Sequence, residues 1–331
     1  MSARLVALLM SGWVLTSLAA PADAPAGAPP PSSAPVKLFV PFSAGGGADG
    51  SARNFLRSAS HFLNGRTLET VYLTAESGAA ASRAVAAAAP DGRTLLLARV
   101  GSVTIQPALS PKTAVPVSSF TVLGVLEQAP LICVVRSGSS ITSMRELLAA
   151  IAAAPGKLRY STGGPGTLQN LAVRYLLALS GLPDAAARPV HFSQGALATQ
   201  ALLQGEVDFS CNNAFSVVPQ IRAGTLRGLM TTAQGRLKQL PRLQNAAELG
   251  LRDMQQLQGW SALLGPAGMP AEAVAYWQGI LERVADDPAW QAGTEALGAL
   301  PRIRAIRDPA QYLRQQAEFY ERLVTMLGAR S

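Results

Sequence analysis

The sequence predicts an α/β protein of two lobes that face each other across a cleft. Apolar strand-like runs alternate with helix-like stretches twice over, the second series interrupts the first, and small-residue loops recur where predicted strands give way to helices. In chain order, VKLFVPF (36–42) is a short β-type run, and DGSARNFLRSASHFL (49–63) carries Phe55, Leu56, Phe62 and Leu63 near helical spacing. TLETVYLTA (67–75) reads as a second strand. An Ala-rich helix follows and stops at the turn Pro90-Asp91-Gly92, and RTLLLARV (93–100) is a third strand, buried by its composition. This β-α-β-α-β order implies a parallel sheet with helices on its faces. Residues 120–139 are a long extended segment without helical period, and Ser143 is a candidate cap for the helix after it.

The second series runs strand KLRYST, loop GGPGT, a helix ended by Gly181, strand ARPVHF, helix GALATQALLQGE, strand VDFSCN, a helix interrupted at Pro219, and the extended run LRGLMTTA. The C-terminal third reads as amphipathic helices without a sheet of their own, placed to cover the first module. Lobe 1 is therefore assigned to 36–126 and 228–331 and the inserted lobe 2 to 127–227, with hinges near 124–127 and 226–232. Open parallel sheets bind ligands beyond the carboxyl ends of their strands, so the cleft is the expected site.

Bulk properties narrow the class. A chain of 331 residues suggests about two domains at roughly 150 residues each. With 49% hydrophobic and 15% charged residues it has ample material for a core and is not a disordered chain. The net charge of +8 comes mostly from arginine, without basic blocks or interleaved aromatics, so it argues for attraction of small anions and not for nucleic-acid binding. Arg4, the apolar run Leu5 to Ala20 and the Ala-x-Ala sites in APADA read as an export signal over 1–22, followed by a Pro/Ala linker over 23–35. Cleavage falls at Ala22 or Ala24. No Cys lies there to take a lipid, and no later apolar stretch is long enough to span a bilayer. Cys133 and Cys211 lie in apolar strand-like runs; an exported protein allows a disulfide, and buried free thiols fit the pattern equally. Two Cys, two His and no C-x-x-C give no metal signature.

The segment VPFSAGGGADGSAR (40–53) decides the functional reading. Gly45-x-Gly47-x-x-Gly50 fits a dinucleotide fingerprint, and Glu76 closes the second strand about where a ribose-binding acid belongs. Against this, Pro41-Phe42-Ser43-Ala44 separates strand from glycines, an exported protein meets little NAD, and no phosphate-loop Lys follows the second loop. A smaller anion is the better fit. Backbone N–H groups ahead of a helix make an anion site, and glycine allows close approach. YSTGGPGTLQN (160–170) repeats the device in the second module, and RVGSVT (99–104) offers a third turn.

VPFSAGGGADGSAR resembles the VPFxxGGxxDxxAR opening of the periplasmic receptors of tripartite tricarboxylate transporters, also called Bug-type receptors. The resemblance continues in order through AAPDGRTLLLARVGSVTIQPAL, SMRELLAAIAAAPGKLRYSTGGPGTLQNLA, VHFSQGALATQALLQGEVDFSCNNAF and GWSALLGPAGMPAEAV. It implies a two-lobed periplasmic binding protein fold of type II-like clamshell form with a central ligand cleft. It also implies capture of a small carboxylate, or a similar anionic or polar solute, for delivery to membrane permease subunits, by a monomer without cofactor. Carried over by residue, it implies ligand contacts from Ser43, Ala44, Gly45, Gly46 and Asp49, from Gly101 and Ser102, from Ser161, Gly163, Gly166 and Thr167, and from His191, Gln194 and Asn212. Asp49 has bracing of the loop as its alternative role.

The chain departs from the family pattern in places. Ser43-Ala44 replaces a Pro-Pro pair, AESGAAA (75–81) replaces a glycine-rich loop, Phe192-Ser193-Gln194 replaces Pro-Tyr-Lys, and Asn212 stands where an Asp is common. Loss of that carboxylate predicts a plain acid as ligand in preference to an amino acid. Two other classes remain: an exported hydrolase and a sensory receptor on the same scaffold. His191, Ser193 and Asp208 lie close in sequence, as a triad might, but no G-x-S-x-G elbow accompanies them. Trp260 reads as hinge or core packing, with the cleft wall as the alternative; Trp277 and Trp290 read as packing.

Overall fold

The computed structural model describes residues 35–329 except 193–194. The export signal, nearly all of the linker, and Gln194 lie outside the described residues.

The first lobe opens with β1 (Val36–Val40), α1 (Gly47–Ala59), β2 (Leu68–Tyr72), α2 (Ala79–Ala86), β3 (Thr94–Arg99) and the short α3 (Gln106–Leu109). Then β4 (Phe120–Arg136) crosses to the second lobe, which holds α4 (Met144–Ala153), β5 (Arg159–Thr162), α5 (Leu168–Leu179), β6 (Arg188–His191), α6 (Gly195–Gln204), β7 (Phe209–Asn213), α7 (Ala214–Arg222) and β8 (Leu226–Thr231). The chain returns through residues 232–257 to β9 (Gln258–Pro266), α8 (Ala271–Asp286), α9 (Pro288–Ala296), β10 (Leu300–Pro301) and α10 (Pro309–Met326).

Strand β4 belongs to both sheets. Phe120 to Pro130 pair antiparallel with β9, and Leu131 to Val135 pair antiparallel with β7. The change of partner falls at Pro130, where the missing N–H interrupts the ladder. This is beyond the 124–127 expected from sequence; that stretch instead carries register shifts within the first sheet. β1, β2 and β3 are parallel, as are β5, β6 and β7, but β9 and β4 run antiparallel to their neighbours, so both sheets are mixed.

The first sheet shows why its strands read as apolar runs. On β3, Leu95 and Leu97 pack into one cluster with Phe55 of α1 and Trp277 of α8, while Leu96 and Ala98 pack into another with Val85 of α2 and Tyr320 of α10. Alternate side chains thus enter opposite helical layers, and no polar face remains. β9 is buried at every position and lies between β3 and β4. The C-terminal third therefore supplies a central strand, contrary to the expectation of helices alone. With no polar alternation, QGWSALLGP lacks the period-2 signal.

Other elements follow their local chemistry. The Ser143 hydroxyl accepts the Glu146 N–H at 3.2 Å, as its capping position predicts. α7 runs through Pro219 instead of stopping there; the proline removes only the bond to the Phe215 carbonyl in the preceding turn. Trp260 is fully buried and donates its indole N–H to Gln316, so it packs the core and not the cleft. α10 does more than cover lobe 1. Phe319 meets the Tyr175 ring of α5 at 6.3 Å, and Arg174 donates to the Leu327 carbonyl, which ties the helix to both lobes. Cys133 and Cys211 are direct cross-strand partners on β4 and β7 and form a disulfide, with Cα atoms 3.9 Å apart.

Candidate functional site

A cavity of about 860 Å3 lies between the lobes, and three helix N-termini point into it. The first belongs to α1. After β1 the chain turns at Gly45, whose φ of +83° favours glycine, and Gly46 caps the helix in extended geometry. Gly50 N–H makes a ladder bond back to Gly46 at 3.0 Å, which leaves the N–H groups of Gly47 and Ala48 without intrahelical acceptors at the cavity wall. Asp49 fixes this geometry. Its carboxylate accepts the Gly45 N–H at 2.8 Å, the Arg53 Nε–H at 2.8 Å and the Tyr72 hydroxyl. It is 4% exposed and does not line the cavity, so it braces the loop.

The second terminus belongs to α5. Thr167 caps it, accepting the Asn170 N–H and donating to the Gly164 carbonyl, and Leu168 and Gln169 line the cavity behind it. A Cβ on Gly166 would stand 2.8 Å from Leu109 Cδ1 and 3.1 Å from Gln106 Nε2, so this glycine lets the lobes meet. The third terminus is that of α7, where Asn213, Phe215 and Ser216 reach the cavity. Phe215 Cδ1 lies 3.7 Å from where a Cβ on Gly47 would be, across the cleft.

Of the residues expected from sequence, Ser43, Ala44, Gly45, Gly46, Gly101, Gly163, Gly166 and Thr167 border this one cavity. Asp49, Ser102, Ser161, His191 and Asn212 do not. Ser102 closes the turn after β3, accepting the Arg99 N–H and donating to the Arg99 carbonyl. Ser161 is buried inside β5, and its hydroxyl has no partner among the described residues. His191 is exposed at the end of β6, which is an edge strand. Asn212 is buried, donates to Thr199 and accepts from Gln169 and from the Asn213 N–H; it positions two wall residues from behind.

Sequence reading missed Arg99, Glu127, Gln106, Thr199, Gln200 and Phe215, all of which border the cavity. Arg99 and Glu127 are the charged side chains of its described wall. Glu127 Oε1 accepts hydrogen bonds from Ser51 and, at 2.8 Å, from Ser261, and it lies 3.5 Å from Arg99 Nη1. Burial pulls the Arg99 guanidinium below its ordinary value, and Glu127 opposes that shift. The signal was present: a charged residue ends an otherwise apolar strand, LLLAR, next to the Gly101 turn.

The nucleotide reading has no counterpart among the described residues, and Ser193 of the triad reading lies outside them. Gly50 lies within α1 against Leu297, and Glu76 is exposed and paired with Arg83. Asp208 accepts the Arg159 N–H at 2.7 Å, a structural contact. No group of metal-ligating side chains occurs among the described residues, and no described helix is long and apolar enough to cross a membrane.

Two α/β lobes closing helix N-termini on one cavity define a two-lobed solute-binding protein. Residues 70–328 match the tripartite tricarboxylate transporter family receptor (TctC), and the chain belongs to that family, whose members are receptors and not enzymes. It is 27% identical over 329 residues to an Agrobacterium vitis protein, the UPF0065 protein in the TAR-I ttuE-ttuC' intergenic region, covering 99% of this chain and 92% of that one. BugT of Bordetella pertussis is 24% identical, covering 89% of this chain and 90% of that one. Among solved structures, MatC from Rhodopseudomonas palustris with bound malate superposes with a TM-score of 0.77 at 28% identity, covering 88% of this chain and 98% of that one. The periplasmic binding protein BugD gives a TM-score of 0.77 at 25% identity over 89% and 98%.

The brace on the first loop has a pH signature. Burial raises the Asp49 carboxyl, but the bonds from Tyr72, Gly45 and Arg53 outweigh burial and hold it below its ordinary value of 3.8. A depressed carboxyl stabilises the fold fully above that ordinary value, and the contribution is lost as pH falls through the lower folded-state value. Urea midpoints of wild type and Asp49→Asn are expected to differ by a constant amount near neutral pH. They should converge below pH 3.8. A gap independent of pH would show that the ionised carboxylate is not what braces the loop.

Proposed function

We propose that this chain captures a small carboxylate-type solute between its lobes and delivers it to the membrane subunits of a tripartite transporter, acting as a monomer in the periplasm. The sheet of β1, β2, β3 and β9 and the sheet of β5 to β8 serve as the two jaws, with β4 running through both. The observation that carries this reading is the convergence of the α1, α5 and α7 N-termini on one cavity from both lobes. Free N–H groups at helix starts favour an anion, and a ligand touching both jaws stabilises the closed form through its differential affinity. MatC, with malate bound, supports the ligand class. The ligand contacts are assigned to the backbone of Ser43 to Ala48, Gly163 and Gly166 to Gln169, with Gly101 beside them. Asp49, Ser102 and Asn212 position those contacts.

In the described wall the carboxylate is Glu127, whose Oε1 is already bonded by two serines and paired with Arg99; this favours a plain acid over an amino acid. Native mass spectrometry of the purified protein, followed by calorimetry with malate, citrate, adipate, aspartate and benzoate, tests the proposal. Binding of an unmodified plain carboxylate is expected. Preferential binding of aspartate overturns the selectivity, and conversion of the bound species to a product overturns the receptor reading.

A further inference from the structure

Arg99 ends β3 at the cavity wall with its side chain 12% exposed. Among the described residues its side-chain hydrogen bonds leave from one nitrogen: Nη1 donates to Ser261 Oγ at 2.5 Å, to Ser51 Oγ at 3.3 Å and to Glu127 Oε1 at 3.5 Å. Nε and Nη2 have no acceptor among the described residues, and neither is among the sealed unpartnered atoms. Nη2 lies 3.9 Å from where a Cβ on Gly47 would stand, at the N-terminus of α1. The guanidinium is therefore held by one corner, and its Nη2 stands at the cavity wall beside the free amides of α1.

Such an arrangement is incomplete by itself. Guanidinium N–H groups are donors only, and a donor left unpaired at a largely desolvated site costs more than one in water. The desolvation is felt by Arg99 itself, whose charged form is disfavoured by burial. Glu127 does not fill the gap, because it meets Arg99 through Nη1 alone while two serines hold the same oxygen. Glu127, Ser51 and Ser261 act as a clamp that sets the orientation of the fork. A planar fork held in place matches a carboxylate that accepts two parallel bonds.

We infer that Arg99 is a specificity-determining ligand contact: its Nε–Nη2 edge takes an anionic group of the solute, in addition to the group held by the helix N-termini, so the site selects acids with two separated negative groups over those with one. Glu127 is the positioning residue. This rests on the carboxylate-capture reading and deepens it by assigning the second group to a side chain.

The test compares malate and adipate with their monoamides, each of which replaces one carboxylate by a carboxamide of nearly the same shape. Titration calorimetry is carried out on wild type, Arg99→Lys and the paired Arg99→Gln/Glu127→Gln. The paired change removes both charges together, so neither is left buried alone. In wild type at least one diacid is expected to bind about ten- to a hundredfold more tightly than its monoamide, the range for a hydrogen-bonded charge. In the paired variant the ratio is expected to fall to about one. Arg99→Lys, which keeps charge and loses the fork, is expected to give an intermediate ratio. A ratio that survives in the paired variant overturns the inference and leaves carboxylate capture standing. Wild type that binds neither member of either pair overturns both.

Discussion

Removal of the disulfide by Cys133→Ala/Cys211→Ala is expected to destabilise the protein by about 2–4 kcal/mol without altering the cleft. The bridge joins residues 78 apart in sequence and encloses α4, β5, α5, β6 and α6. Without it the unfolded second lobe gains the freedom of a long open loop, and chain entropy favours the upper part of that range for a loop of this length. The folded state changes little, because the two cysteines already face each other across paired strands and both are buried. Neither lines the cavity, so ligand affinity is expected to stay within about threefold of wild type, less than 1 kcal/mol. Urea unfolding followed by tryptophan fluorescence reads the first effect, and calorimetry reads the second. An unchanged urea midpoint would mean that the bridge does not constrain the lobe.

The parts of this molecule legible in its sequence are those governed by neighbours along the chain. The glycine loop before α1, the cap at Ser143 and the turn at Gly92 each depend on a few consecutive residues. Asp49 shows the boundary. Its place near a helix start suggests bracing or ligand contact, and the bracing bonds come from Tyr72 of β2, which no local pattern announces, together with Gly45 and Arg53. β9 was hidden because burial on both faces removes the alternation that marks a strand. His191 and Asn212 matched the family pattern, yet one is exposed on an edge strand and the other is turned to Thr199 and Gln169. Strand side chains alternate sides, so a motif at a strand end does not say which of two adjacent residues reaches a cleft. Here Asn213 reaches it instead of Asn212. The charged wall was least visible. Ser51, Arg99, Glu127 and Ser261 come from α1, β3, β4 and β9, and only the tertiary fold brings them together.

Glu127→Ala is expected to cost about 3–5 kcal/mol, more than a surface charge removal, because it strands a buried cation. Arg99 would keep its place at the end of β3 with its side chain 12% exposed and no counter-charge, and Ser51 and Ser261 would lose their shared acceptor. Exchange of both charges in Arg99→Gln/Glu127→Gln is expected to recover most of that loss, since a neutral hydrogen-bonded pair carries no such desolvation penalty. The same physics gives the single variant a second property. An anion that reaches the exposed edge of Arg99 replaces the missing carboxylate, and a ligand that binds only the folded state raises stability by mass action. Malate at one fixed concentration is therefore expected to raise the melting temperature of Glu127→Ala by more than that of wild type, while sodium chloride at equal ionic strength does less. If Glu127→Ala melts with wild type, the pair is not the buried electrostatic element argued here. If it is destabilised and malate does not favour it over salt, the guanidinium is shut off from the cavity.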